Sequence, residues 1–374
     1  MNTNGVTIVT TDDEKKKFLE FPYQHYADND VWVPPLRMDQ KKLIDAKKNP
    51  FFENAEMALF VAEHNGKIAG RISAVVDDRF NKHHDRKTGH FGFFECIDDQ
   101  ETANLLFRVA CDWLKDKGMK DVLGPASPGM MDTIGLLVDN FDKQPYLLMP
   151  YNKPYYEKLI KGAGFKEEMD LLAFYVHVDD MDHSRFERAI DIVYKRNPTL
   201  KIRQVNMKNL NGEVEIVRNI YNQAWKDNWG FLPLTYEELQ HLAKDFKMIL
   251  DPDFAHIAEI DGKPIAFSIA LLDYNQIFKE MDGSLFPLGI FKFLFGKKKI
   301  KRLRTALLGV LPEYRGKGID ALLTQKAIEK GLLKGIHESE LSWVLGTNTE
   351  MIRLAERIGG SLDKTYRMYT KQLE

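Results

Sequence analysis

The residues best placed to do chemistry lie in one run, Leu307-Leu-Gly-Val-Leu-Pro-Glu-Tyr-Arg-Gly-Lys-Gly-Ile-Asp-Ala-Leu-Leu323. An apolar strand ends, a glycine-rich turn follows, and a helix with apolar periodicity begins. Such a turn exposes successive backbone N–H groups at a helix N-terminus, where the helix dipole adds partial positive charge. Gly316 and Gly318 allow close approach of a ligand, and Arg315 and Lys317 add charge. The chemistry this predicts is phosphate binding. The glycine spacing is neither that of a P-loop nor that of a dinucleotide fingerprint.

Other chemistries are poorly served. Cys96 and Cys111, the two cysteines, have no visible histidine pairing, and two cannot build a disulfide scaffold or a cysteine zinc site. The ten histidines show no HExxH spacing, so no metal is expected. Lys plus Arg is 53 and Asp plus Glu is 55, a net charge of −2. That balance argues against a protein coated in positive charge, and no nucleic-acid partner is expected.

The elements that must position the loop come in two similar sets. The 374 residues suggest two domains. Val61–Val75 aligns without gaps on Ile257–Leu271, an offset of 196 residues from Ala62 to Ala258. Each is two apolar runs about an Asn65-Gly66 or Asp261-Gly262 pair, a hairpin signal. Trp32–Leu36 and Trp229–Leu234 form a second pair, and Leu159–Gly164 and Leu354–Gly359 a third, in the same order. Each half reads as two helices, the hairpin, a strand, a helix, a strand, a short helix and a last strand. In the second half the later pieces are Arg304–Val310, Ile319–Lys334, Glu340–Leu345, Glu350–Ile358 and Thr365–Lys371. The fold class is therefore α/β, a mixed sheet with helices on both faces. The expected division is a domain at 1–180, a linker with a helix at 181–205, and a domain at 206–374.

The glycine-rich run resembles the acyl-CoA-binding motif of the GCN5-related N-acetyltransferase (GNAT) superfamily. That pattern is Arg or Gln, two residues, Gly, one residue, then Gly or Ala. Arg315 and Gly318 fill the first two places, and Asp320 departs from the third. The order of elements is similar to that fold in both halves, so the expectation is two tandem acyl-CoA N-acyltransferase-like domains. The resemblance implies a pyrophosphate on the loop Arg315, Gly316, Lys317, Gly318, Ile319 and Asp320. It implies a pantetheine arm along Leu308–Val310, in a split between the fourth and fifth strands, and a contact from Asn348. The co-substrate would be acetyl-CoA or another acyl-CoA, and the acceptor a small-molecule or peptide amine attacking the thioester directly. An Asp320 carboxylate facing the phosphates would cost about 3 kcal/mol at 5 Å and an effective dielectric of 20. The reading adopted turns it aside to cap the helix.

Catalytic groups are harder to place. The family often uses a Tyr seven residues after the Asn, and here that position is Ala355. Tyr366 and Tyr369 are candidate acids, although aromatics on a strand are commonly core. Glu340 is a candidate base, otherwise a solvated strand-end charge, and Glu313 reads as surface. Trp229 and Phe231 lie where the family borders its acceptor site.

The first half lacks the loop. Cys96-Ile-Asp-Asp-Gln-Glu-Thr102 has no glycine and three carboxylates, with Asp98 or Asp99 as a helix cap. This half reads as the fold without the cofactor site. Its long Gly124–Asn152 segment is proline- and glycine-rich at its start, and Ser127, Asp132 and Tyr151 are candidates for an acceptor pocket. The alternative for the whole chain is a non-catalytic acyl-CoA- or phospholigand-binding protein.

One segment belongs to neither repeat. Ser284–Arg304 holds four Phe, then Lys297, Lys298, Lys299, Lys301, Arg302 and Arg304. It could lie on an anionic membrane surface or cover a long acyl chain. The reading adopted is a helix packed on its own domain with a solvated basic end. The N-terminus shows no basic start before an apolar run, and no stretch has about 18 uninterrupted apolar residues, so a cytoplasmic protein is expected.

Overall fold

The computed structural model describes residues 2, 3, 5–64 and 66–373, so the Asn65 part of the first hairpin turn lies outside the described residues. The first half of the chain runs through helices α1 (Asp12–His25) and α2 (Arg37–Leu43) to a hairpin of β1 (Ala55–His64) and β2 (Lys67–Asp77). Strand β3 (Thr88–Cys96), helix α3 (Gln100–Asp116), strand β4 (Asp121–Gly124), helix α4 (Tyr156–Gly162) and strand β5 (Lys166–His177) follow. Helix α5 (His183–Arg196) joins the halves. The second half repeats the order with α6 (Leu210–Ala224), α7 (Tyr236–Phe246), β6 (Ala255–Ile260) and β7 (Lys263–Leu272). Helix α8 (Gly289–Gly296) is the inserted segment. Then come β8 (Arg302–Val310), α9 (Ile319–Leu333), β9 (Glu338–Leu345), α10 (Thr349–Arg357) and β10 (Ser361–Gln372). The architecture is mixed α/β, as the periodicity implied.

Local chemistry sets many boundaries. Thr11 caps α1 and Thr235 caps α7, each with a Glu three residues on completing a capping box. Asp261 and Gly262 turn the second hairpin with φ of 51° and 74°, the geometry of a type I′ turn.

Compactness groups the elements into two units. The first contains residues 1–171, 278–293 and 364–374, and the second contains 172–277 and 294–363. In the first, the sheet runs Val6–Ile8, β1, β2, β3, β4, then β10. β3 and β4 are parallel and the other pairs antiparallel. In the second it runs β5, β9, β8, β7, β6, then Lys201–Gln204, with β8 and β9 parallel. The closing strand of each unit thus comes from the other half of the sequence. β10, which ends the second half, pairs with β4 from Tyr369↔Gly124 to Gln372↔Asp121. The part of β5 from Leu172 onward, which ends the first half, neighbours β9.

Each unit has its own core. Helix α3 buries Ala103, Leu106, Phe107, Ala110 and Leu114, at helical spacing, among Phe91, Phe165 and Tyr369 of unit one. In unit two, Ile319, Leu322 and Leu323 of α9 pack with Ala258, Ile265, Ala266 and Val193. A second cluster joins Phe174 and Val176 of β5 to Leu341, Val344, Leu354 and Ala355. Ala355 is fully buried there. The position where the family often places a tyrosine is therefore packing in this chain.

The exchange of strands makes a direct prediction. Tyr366, Met368 and Tyr369 on β10 are all fully buried in unit one. Each is worth about 2 kcal/mol of burial, and the total of about 6 is comparable to the net stability of a domain. A chain ending at Asp363 should lose cooperative melting of unit one, measured by differential scanning calorimetry. Retention of the full-length melting profile would show that β10 is dispensable there.

Candidate functional site

The site in unit two is built where two parallel strands part. β8 and β9 pair from Arg302↔Glu338 to Thr305↔Leu341 and no further, although β8 runs on to Val310 and β9 to Leu345. The register of β8 against β7 shifts beside this point, with Ile269↔Leu307 followed by Ala270↔Thr305, so Ala306 is bulged. Bulges end pairing and re-aim the strand. Residues 305–308 of β8 are correspondingly half-buried rather than covered.

A buried polar network fixes the last joined rung. The Arg304 Nε donates to Ser342 Oγ at 2.9 Å, and an Arg304 Nη donates to the Ser342 carbonyl at 3.1 Å. Ser342 Oγ in turn donates to Glu340 Oε1 at 2.6 Å. Glu340 is fully buried, so it is not the solvated strand-end charge the sequence suggested. It belongs to the clamp that ties β9 to β8. The Trp343 ring lies 5.3 Å from the Arg304 guanidinium carbon.

Beyond Val310 the chain makes a 3₁₀ turn at Pro312–Tyr314 and reaches the glycines. Gly316 and Gly318 have φ of 67° and 79°, and Gly318 caps α9. The backbone N–H groups of Gly316 through Asp320 have no hydrogen-bond partner among the described residues. Five open donors at a helix N-terminus, with Lys317 in the same loop, can serve as an anion cradle. A Cβ on Gly316 would meet open space, whereas one on Gly318 would sit 2.6 Å from Val193 Cγ2 of α5. The linker helix therefore fixes the loop from behind.

Each expected contact has a definite place. Arg315 donates to the Ala224 carbonyl at the end of α6, tying the loop to the junction that carries Trp225 to Phe231. Phe231 is buried 5.6 Å from Tyr221, and Trp229 is half-buried. Asp320 is not the cap. Its Oδ1 accepts from the Ala321 N–H at 3.0 Å, inside the first turn. Leu308 and Val310 are half-buried on β8, opposite Ser268 and Ala266 of β7. Asn348 caps α10, its Oδ1 accepting from Met351 N–H at 3.1 Å. Ile319 points into the core, so only its N–H is available to a ligand. Glu313 is exposed.

The two tyrosines lie in unit one. Tyr366 is fully buried and pairs with Leu137, and Tyr369 donates to Glu157 at 2.8 Å.

The corresponding split in unit one is filled by its own chain. β3 and β4 pair from Thr88↔Asp121 to His90↔Leu123 and then separate. The strand Ala126–Ser127 enters the gap, and Ser127 Oγ accepts from the Phe93 N–H at 2.8 Å. A Cβ on Gly92 would lie 1.9 Å from the Ala126 carbonyl oxygen, so no other residue fits there. Ser127 is thus a plug and not a pocket residue. Asp132 accepts from Gly129 N–H within a turn, while Tyr151 donates to the Phe141 carbonyl and accepts from Asn29. Ser127 pairs with Thr133, next to Asp132. At the loop position, Asp99 accepts from Thr102 N–H at 2.8 Å and Oγ1 at 2.6 Å, which occupies the N-terminus of α3. These hydrogen bonds hold the Asp99 carboxyl below its usual range.

Sequence reading missed a second network in unit one. Glu95 Oε2 accepts from Tyr26 at 2.6 Å and from Tyr156 at 2.7 Å, with Arg71 at 3.9 Å from the other oxygen. Tyr156 also lies 3.0 Å from His25 Nε2. Burial raises the Glu95 pKa and pushes the His25 pKa down to about 4. Sequence separations above 60 between Glu95 and both tyrosines hide this cluster from any periodicity.

Comparison with known proteins bears on this geometry. Residues 214–360 match the description "Acetyltransferase (GNAT) family". The chain is 36% identical to Protein YghO of Escherichia coli (strain K12), over 96% of this chain and 93% of that one. It is 33% identical to the bacterial ceramide synthase of Caulobacter vibrioides, over 99% and 97%. A solved tandem GNAT protein from the clavulanic acid biosynthesis pathway superposes with a TM-score of 0.59, at 10% identity and 99% coverage of both chains. A GCN5-related N-acetyltransferase from Sphaerobacter thermophilus gives 0.55, at 12% identity, over 100% and 98%. These likenesses establish the tandem fold. No group of three or more His, Cys, Asp or Glu that could hold a metal occurs among the described residues.

Two predictions follow from these sites. Gly318→Ala places a Cβ against Val193 at positive φ and should weaken acyl-CoA binding roughly tenfold, about 1.4 kcal/mol, by isothermal titration. Gly335→Ala, also at positive φ (65°) but at the far end of α9, should lower the melting temperature and leave binding unchanged. Equal effects would deny the loop its role. Separately, burial lowers the pKa of His25, His90 and His256 to about 4, 3 and 4. Unfolded histidines titrate near 6.5, so the unfolded chain binds more protons between that pH and about 4. Stability should therefore fall as pH drops through this window. His90, fully buried with neither ring nitrogen hydrogen-bonded, can become Leu, and that variant should show a shallower loss of melting temperature from pH 6.5 to 5. An identical slope would refute the assignment.

Proposed function

The chain belongs to the acetyltransferase (GNAT) family, an acyltransferase family, and we propose that it moves an acyl group from acyl-CoA to the amine of a long-chain amino alcohol. The observation that carries the acyl-CoA part is the cradle of free N–H groups at Gly316–Asp320 beside a strand that parts from its neighbour. The relative named ceramide synthase, similar over 99% of this chain, supports the lipid amine. A ceramide is the amide of a fatty acid and a sphingoid amine. Acetyl transfer to a smaller amine is the competing choice of acyl group and acceptor.

In this reading the loop N–H groups and Lys317 hold the pyrophosphate. Backbone of β8 at Leu308–Val310, parted from β9, pairs with the pantetheine amides. A β8 N–H aimed at the thioester oxygen favours the transition state, because negative charge develops there. The neutral amine attacks the carbonyl carbon, a C–N bond forms and the C–S bond breaks. The amine gives up its proton and the thiolate leaves to be protonated by solvent. Glu340 lies in the strand clamp, so its role is to hold the strands together beside the split rather than to take the proton.

The test is CoA thiol release with acetyl- and palmitoyl-CoA against sphinganine and a panel of short amines and peptides. Release with palmitoyl-CoA and sphinganine, reduced at least about tenfold by Arg315→Glu, is expected. Turnover only with short amines would remove the lipid acceptor and leave acyl transfer standing. No release with any pair would remove the acyl-transfer reading.

A further inference from the structure

Helix α8 presents the wrong face to water. Its buried positions are Gly289, Phe293 and Gly296, at the spacing of one helical face. Gly296 lets it lie close to the body, since a Cβ there would stand 2.8 Å from Ile277, and Gly289 lets the approach fold tightly onto the helix, since a Cβ there would stand 2.2 Å from the Ser284 carbonyl oxygen. The opposite face of a surface helix is ordinarily polar. Here it carries Phe291, Leu294 and Phe295, and the approach to the helix adds Phe286 and Leu288. All five are more than half exposed, and Phe295 reaches 75%. An apolar patch this concentrated is characteristic of an interaction surface.

Charge beside the patch selects the occupant. No Asp or Glu occurs from Ser284 to Arg304. The helix runs directly into Lys297, Lys298 and Lys299, with Lys301 close behind, and all four are exposed. Lys297 is paired with Asp251 at 3.1 Å. Lys298, Lys299 and Lys301 have no carboxylate partner among the described residues. Arg302 is committed to Asp273 at 2.6 Å, and Arg304 to the strand clamp, so neither is available outside. A second copy of the chain is a poor occupant. A two-fold contact through this patch would bring the two lysine runs together. An anionic lipid surface satisfies both features, taking the aromatic and leucine side chains into the acyl boundary and the lysines among headgroup phosphates. No helix among the described residues is long and apolar enough to span a membrane, so the contact is peripheral.

We propose that α8 and the lysine run after it form a docking surface for an anionic membrane, through which the protein binds the bilayer peripherally. This holds whichever amine is the acceptor.

The experiment is co-sedimentation of the full-length protein with large vesicles of phosphatidylcholine alone, or of phosphatidylcholine and phosphatidylglycerol in equal parts. Strong sedimentation is expected with the anionic vesicles only, falling with added salt. The double variants Phe291→Ser with Phe295→Ser, and Lys298→Glu with Lys299→Glu, should each weaken it at least about tenfold. Because these side chains are exposed, the melting temperature should stay constant, which separates lost docking from lost folding. Three results would overturn the proposal. They are no sedimentation of the wild type with anionic vesicles, equal sedimentation of both double variants, and a lipid-free oligomer that the phenylalanine variant dissolves.

Discussion

The candidate site of unit two depends on two parallel strands that stop pairing. When β8 and β9 separate after Thr305, backbone donors and acceptors on both are left to find other partners. Buried backbone groups do not stay unpaired at low cost. The Arg304–Ser342–Glu340 network is the counterweight, because it holds the strands together at the last rung so that they part at a fixed place. Removing one member would leave a buried charge without its partner, a larger penalty than the network is worth as a whole. The bulge at Ala306 and the positive-φ glycines of the loop then shape what the split can receive.

The two units answer the same problem differently. In unit one, β3 and β4 also part after three rungs, and the chain supplies its own filling. Ser127 takes the Phe93 N–H, and Gly92 and Gly124 let the backbones touch. Asp99 takes the Thr102 N–H at the α3 N-terminus, whereas in unit two the N–H groups of Gly316 to Asp320 remain open. The difference between the units is thus more than a difference in glycines. It includes contacts from the chain itself, the side chain of Ser127 on the Phe93 N–H and the Asp99 carboxylate on the Thr102 N–H. A restored glycine loop alone would not reopen unit one.

What the sequence made legible follows the range of the interactions. The hairpins, the glycine loop, the order of elements and the Asp99 cap rest on contacts within a few residues, and local pattern reports them. The exchange of β5 and β10 rests on pairings such as Tyr369↔Gly124, and a repeat near 196 residues gives no hint that last strands trade places. Glu340 and Tyr366 looked like candidate acids or bases because a strand position does not declare its burial. Asp320 looked like a cap because the true one, Gly318, has no side chain to advertise it.

The α8 segment sharpens this distinction. Its composition announced both an apolar and a basic character, and either a packed helix or a membrane contact could use them. What decides is which face the glycines occupy. Had Phe291 and Phe295 pointed inward with Gly289 and Gly296 outward, the segment would be an ordinary core helix with a solvated end. With the glycines buried beside Phe293, the helix spends its smallest residues on close packing and leaves Phe291, Leu294 and Phe295 outside. That arrangement is unfavourable in water alone, since the exposed side chains gain nothing from folding. It becomes favourable when a second apolar phase with negative charge lies against it.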